Sequence, residues 1–212
     1  MTKENINRGR FIVFEGLDGS GKSTQIDLLC ERLKKDGRNV VKTAEPTMLT
    51  TGGLIRDALA GNYPRSSEEL SALFLADRIA HNVNPKNGII KLLAEGADVV
   101  CDRYYYSSFA YQGMDCDLDW VIKMNIGCAS VTKPDVCFFI DVPTEVCKER
   151  VDKRGGFREI FEREQNTLER VRAKYSEVFK KLEDENIVII RSEGAPEEIA
   201  KVIYSSLPHF SD

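Results

Sequence analysis

Short apolar runs alternate with amphipathic stretches along the whole chain. Phe11-Ile12-Val13-Phe14 is apolar throughout, and a first strand is expected over 11–16. Ser23 to Lys35 places Ile26, Leu29, Cys30 and Leu33 on one face and predicts an amphipathic helix. Asp36-Gly37 is a stop signal for it. A second strand is expected over 39–43, ended by Glu45-Pro46-Thr47, because proline cannot continue a central strand. Residues 47–53 read as a polar turn before a short helix at 54–60. Ser66-Ser67-Glu68-Glu69 puts a serine cap ahead of two acids and predicts a helix from 66 to about Pro85. A further helix over 86–95 stops at Gly96. Strands follow at 98–102, at 135–141 and at 186–190; the middle one is nearly all apolar and reads as central. Helices are expected at 117–128, with Trp120, Ile122 and Met124 packing inward, at 144–153, and at 161–183. The last, 196–206, has a proline in its first turn. The stretch Tyr104 to Gly113 follows directly on a strand end; its polar groups fall close to that end and face a substrate.

Strands alternating with helices predict an α/β fold: a five-stranded parallel sheet with helices on both faces, joined by right-handed crossovers. No repeat or low-complexity linker divides the chain, so a single domain over 1–212 is expected. At 42% hydrophobic residues, its 212 residues can fill a core without disulfide or metal staples. The formal net charge of -4 argues against a dedicated nucleic-acid binder. No apolar run has the length of a membrane span, and Met1 to Asn5 carries no apolar signal core. The six cysteines, at 30, 101, 116, 128, 137 and 147, form no C-x-x-C pair. They read as reduced core residues of a cytoplasmic protein.

The candidate chemistry centres on Gly16-Leu17-Asp18-Gly19-Ser20-Gly21-Lys22-Ser23, with Thr24 next. It fits G-x-x-x-x-G-K-[ST] at every fixed position, between a predicted strand and a predicted helix. The glycines let backbone N–H groups curl around phosphate oxygens, and the helix N-terminus adds its positive end. Lys22 is expected at the terminal phosphates, and the Ser23 hydroxyl on Mg²⁺. Asp102 closes an apolar strand, where ligands of open α/β sheets sit. It reads either as part of the Mg²⁺ shell or as a base, and Arg103 beside it can grip an anion. Arg150, Lys153, Arg154, Arg158 and Arg163 surround Gly155-Gly156. That segment, about 150–160, reads as a basic lid whose arginines neutralise charge on the transferring phosphoryl group. The alternative is a solvated helix face with pairs such as Glu149–Lys153. Phe74 and Arg78 lie four apart, on one helix face.

In order along the chain, F-E-G-L-D-G-S-G-K-S-T-Q (14–25), E-P-T (45–47), F-L-A-D-R-I-A-H (74–81), D-R-Y (102–104), S-S-F-A-Y-Q-G (107–113), K-P-D-V (133–136), I-D-V-P (140–143) and F-E-R-E (161–164) resemble thymidylate kinases. The matches cover about residues 11 to 165. The resemblance implies the phosphate-loop NTPase fold and ATP-dependent phosphorylation of dTMP to dTDP with Mg²⁺. It implies that Phe74 stacks on thymine and Arg78 bonds its edge. Arg56 and Arg103 hold the acceptor phosphate, Ser108 and Gln112 contact the base, and Tyr111 lies beside the sugar. Glu45 belongs to the same acceptor-binding set. Asp18 and Asp102 position the acceptor phosphate or the metal. Ala44 stands where many members carry arginine. Gly19 and Ser20 stand where some members carry a loop arginine, as in the subgroup that draws its catalytic arginines from the lid; that gives weight to Arg150, Arg154 and Arg158. A homodimer through helices 66–81 and 117–128 is also implied. A kinase of another nucleotide or of a nucleoside remains the alternative. A guanine-reading N-K-x-D element, expected of a nucleotide switch, is not in the sequence.

Overall fold

The structure is a computed structural model describing residues 8–154, 165–191 and 194–208. Five parallel strands form one sheet: β1 (Phe11–Glu15), β2 (Val40–Ala44), β3 (Asp98–Asp102), β4 (Val136–Asp141) and β5 (Ile187–Arg191), in the order β2-β3-β1-β4-β5. The predicted sheet is therefore present, with β1 at its centre. Phe14 is level with Asp102 on one side and with Phe138 on the other. The carboxyl ends of β1 and β3 thus open at the same height, which brings the phosphate loop beside Asp102-Arg103.

The helices are α1 (Lys22–Lys35), α2 (Thr50–Leu59), α3 (Ser67–Val83), α4 (Ile89–Ala94), α5 (Tyr105–Tyr111), α6 (Leu118–Ile126), α7 (Thr144–Arg154), α8 (Gln165–Lys181) and α9 (Pro196–Ser205). On α1 the face that the periodicity selects is the buried one: Ile26, Leu29, Cys30 and Leu33 all enter the core. Ser66 caps α3, its hydroxyl accepting from the Glu69 N–H at 3.1 Å. Asp117 caps α6 by accepting from the Trp120 N–H at 2.8 Å.

Two expectations are corrected, and one stretch left without an assignment gains one. First, α2 begins at Thr50, inside the expected turn. Two glycines at 52 and 53 disfavour helix, but packing overrides them. A Cβ at Gly52 would lie 1.9 Å from the Thr47 carbonyl oxygen, so only glycine lets the helix start this close to the β2 loop. The Thr51 hydroxyl then donates to Asp77 at 2.7 Å. Second, Tyr105–Tyr111 is a helix with every residue buried. With no polar face it carries no amphipathic period. Third, Trp120 is 41% exposed, while Val121 and Asn125 are the buried residues of α6. Four cysteines are buried, Cys116 and Cys128 are half-buried, and all six are free thiols. No described helix is long and apolar enough to cross a membrane.

Candidate active site

The loop from Gly16 to Ser23 turns the chain from β1 into α1. Gly16, Gly19 and Gly21 have φ of 141°, 83° and 98°, values that side chains resist. Gly19 is the most constrained, since a Cβ there would lie 2.3 Å from the Cys147 carbonyl oxygen on α7. No arginine can stand at 19 in this packing. Instead Arg150 reaches across from α7, its Nη1 donating to the Gly19 carbonyl at 3.2 Å. The buried Lys22 ammonium donates to the carbonyls of Gly16 and Leu17, both at 3.0 Å, and lies 3.4 Å from Asp18. Ser23 and Thr24 are exposed in the first turn of α1. Ser20 is buried and its Oγ has no hydrogen-bond partner among the described residues.

Opposite the loop stands the end of β3. Arg103 has φ of 66°, the only non-glycine residue with positive φ among those described. Its Nη2 pairs with Asp18, its Nη1 donates to Ser107 Oγ at 3.1 Å, and its guanidinium lies 5.4 Å from the centre of the Tyr111 ring. Burial alone would lower its pKa; Asp18, with Tyr111, Tyr175 and Glu15, raises it well above the usual arginine value. Asp102 Oδ1 is buried and has no hydrogen-bond partner among the described residues.

The far wall comes from α3. Arg78 is 1% exposed, and its Nε and Nη2 both lie 2.8 Å from Glu45 Oε2. Its Nη1 donates to Asn125, its Nη2 donates to Ser108 Oγ at 3.2 Å, and its guanidinium is 5.1 Å from the Tyr104 ring centre. His81 Nδ1 lies 3.0 Å from the other Glu45 oxygen.

One cavity of about 400 Å³ joins these walls. Asp18, Gly19, Gly21, Lys22 and Ser23 line it from the phosphate loop; Glu45, Phe74, Arg78, Asp102, Arg103, Tyr111 and Gln112 line the rest. Six expected site residues lie outside this lining: Gly16, Leu17, Ser20, Thr24, Arg56 and Ser108. Leu17 is a core residue. Arg56 donates to the carbonyls of Pro46 and Thr47, and so braces the loop after β2. Ser108 is turned toward Arg78. The side chain of Arg154 and all of Arg158 lie outside the described residues. The sequence reading gave no role to Leu59 or Val151, which also line the cavity, and placed Tyr104 and Ser107 only in a substrate-facing stretch without an individual role. For Tyr104 and Ser107 a signal existed: both follow directly on a strand-end acid. Leu59 and Val151 come from helices whose docking no local pattern reports.

The thymidylate kinase family model matches residues 14–203. The chain belongs to the thymidylate kinase family. The matched span contains the whole cavity lining, four complete strands and the last two residues of β1. A thymidylate kinase of Exiguobacterium sp. is 37% identical over 175 residues, 81% of this chain and 82% of that one. A Treponema pallidum (strain Nichols) protein, provisionally named a thymidylate kinase, is 42% identical over 171 residues, 81% of this chain and 79% of its own length. A Pyrococcus abyssi protein, likewise provisionally named, is 36% identical over 211 residues, covering 95% of this chain and 97% of that one. The parallel sheet with a glycine-rich loop after its central strand is accordingly the phosphate-loop NTPase fold. In this thymidylate kinase family member, Asp102 and Ser23 are oxygen-bearing residues lining one cavity. They suit a hard, oxygen-seeking cation that takes its remaining ligands from water and phosphate, as Mg²⁺ does.

Proposed function

We propose that this chain transfers the γ-phosphoryl group of ATP to dTMP, giving dTDP. The observation that carries the reading is the single cavity with a phosphate loop at one end and an arginine–aromatic wall at the other. Phosphoryl transfer needs the acceptor oxygen held in line with the γ-phosphorus and the spreading charge neutralised; it needs little covalent chemistry from the protein. In this reading the loop N–H groups and Lys22 hold the donor phosphates. On binding, Lys22 exchanges its two carbonyl partners for phosphate oxygens. Arg103 exchanges Asp18 for the acceptor's phosphate. Phe74 stacks on the base, and Arg78 presents a guanidinium already fixed by Glu45. The Gln112 amide, whose Oε1 is buried without a hydrogen-bond partner among the described residues, is available to the base edge. Tyr111 lies beside the sugar. Ser23 and Asp102 would hold Mg²⁺, which when bound supplies charge neutralisation on the donor phosphates.

The catalytic arginines come from α7 and the segment after it. Gly19 excludes an arginine in the loop, and Arg150 already touches that loop. Arg154 and Arg158 complete the set as a basic lid over about 150–160 of a single domain. The six free thiols fit a cytoplasmic location. The exposed Val83, Trp120 and Ile126 on α3 and α6 fit a homodimer through those helices.

The test is an acceptor panel. With ATP and Mg²⁺ supplied, dTMP should drive ADP formation far faster than thymidine, dUMP or AMP. Faster turnover of thymidine would move the assignment to a nucleoside kinase.

A further inference from the structure

Glu15 is the last residue of β1, 0% exposed, and it is not among the residues that line the cavity. Its two carboxylate oxygens collect four hydrogen bonds. Oε1 accepts from the backbone N–H of Tyr104 at 2.9 Å and of Ser107 at 3.1 Å. Oε2 accepts from the hydroxyls of Ser107 at 2.6 Å and Tyr175 at 2.8 Å. The first pair caps the N-terminus of α5 from another element, satisfying donors that a helix start leaves free. Tyr104 and Ser107 bracket the first turn of that helix, and Arg103 immediately precedes it.

That position is strained. A non-glycine residue with φ of 66° is held in a sparsely populated conformation that persists only where its surroundings over-determine it. Here two consecutive residues of β1 clamp it. The Phe14 carbonyl accepts the Arg103 N–H at 2.9 Å, and Glu15 takes the next N–H, that of Tyr104. The side chain is held through the same carboxylate. Arg103 Nη1 donates to Ser107 Oγ, and Ser107 Oγ in turn donates to Glu15. With two N–H and two O–H groups donating to it, the Glu15 carboxyl acts only as an acceptor, and this gives the relay its direction.

We infer that Glu15 and Ser107 are positioning residues for the acceptor site, fixing both the left-handed backbone and the guanidinium orientation of Arg103. The inference rests on the reading that Arg103 grips the acceptor phosphate. Burial pushes the Glu15 carboxyl up, only partly offset by Arg103 and by the bonds from Ser107, Tyr104 and Tyr175.

Glu15→Gln separates this role from general support of the fold. One amide oxygen remains for the two backbone N–H groups, so the cap of α5 survives. The amide nitrogen must then donate toward Ser107 Oγ, which already accepts from Arg103, so the relay reverses its polarity at constant volume. The experiment measures kcat and KM for dTMP and for ATP in Glu15→Gln, Ser107→Ala, Arg103→Ala and the two doubles with Arg103→Ala, with melting curves alongside. The expected result is a rise of about tenfold in KM for dTMP in Glu15→Gln, a smaller rise in Ser107→Ala, and little change for ATP. Each double variant should bind dTMP no worse than Arg103→Ala alone, since both losses pass through one side chain. If Arg103→Ala itself leaves dTMP binding unchanged, the assignment of Arg103 to the acceptor phosphate falls. If Arg103→Ala weakens dTMP binding but the other losses are absent, affect ATP equally or add in full, the positioning role is overturned. Should Glu15→Gln fail to fold, the Ser107→Ala cycle decides alone.

Discussion

Arg103 at the end of β3 is paired with Asp18 in the phosphate loop, 85 residues away in sequence. In the proposed reading the pair ties the acceptor wall of the cavity to its donor wall. Arg103 must leave Asp18, or share it, when an acceptor phosphate enters. Charge-assisted bonds of this kind are worth about 1.5–3 kcal/mol. Arg103→Ala is therefore expected to weaken dTMP binding by about tenfold to a hundredfold and ATP binding much less. Titration of both ligands against the variant checks this, and equal losses would place Arg103 between the two substrates.

Lys22 is expected to be indispensable. Its ammonium is held by the Gly16 and Leu17 carbonyls at the point where the loop faces the cavity. Lys22→Ala should abolish phosphoryl transfer and leave the far-UV spectrum unchanged. Activity within about tenfold of the parent, a barrier difference of roughly 1.4 kcal/mol, would contradict the assignment.

Lid arginines that meet the phosphoryl group only in transit should act on kcat rather than on KM. The double variant Arg154→Ala/Arg158→Ala is expected to lower kcat far more than it raises KM for either substrate. Surface pairs of arginine with glutamate are worth only about 0.2–1 kcal/mol. Near-parental turnover with both substrates saturating would therefore reduce these residues to a solvated helix face.

Stability has its own pH dependence, away from the cavity. Asp98 is fully buried and bonds Arg10 at 2.5 Å and Arg38 at 3.0 Å. Burial alone would raise its carboxyl; the bonds from Arg10 and Arg38 outweigh that and hold it below 3.8. A carboxylate lowered on folding contributes stability above its unfolded pKa and loses it as pH falls through the folded value. Asp98→Asn removes the buried charge and leaves Arg10 and Arg38, 15% and 37% exposed, to be solvated by water, so a smaller loss of about 1.5–3 kcal/mol is expected at neutral pH. The melting-temperature gap between parent and variant should be constant near neutrality and shrink below pH 3.8. A gap independent of pH would mean that the pair contributes shape rather than charge.

The phosphate loop was legible because its mechanism is local: eight consecutive residues between an apolar run and an amphipathic one suffice to place it. The sheet was legible for a similar reason, each strand being a short apolar run. What escaped depends on neighbours distant in sequence. The helix Tyr105–Tyr111 is buried all round, against α8 among others, so no polar face marks it. Helix α2 starts through two glycines because Thr47 leaves no room for a side chain at 52. Arg56 and Ser108 carry the right groups for ligand contact, yet one is spent on backbone carbonyls and the other on Arg78. Glu15 lies one residue before the loop, but its four partners come from residues 104, 107 and 175, and no pattern within β1 announces them.

The most direct test follows the phosphoryl group itself. The enzyme is given ATP labelled at the γ-phosphate, unlabelled dTMP and Mg²⁺, and the products are separated by chromatography. Label should pass to dTDP, on its terminal phosphate, in step with ADP. Label that appears as inorganic phosphate whether or not dTMP is present, or on an added nucleoside in preference to dTMP, would contradict a cavity built to join ATP to a nucleoside monophosphate.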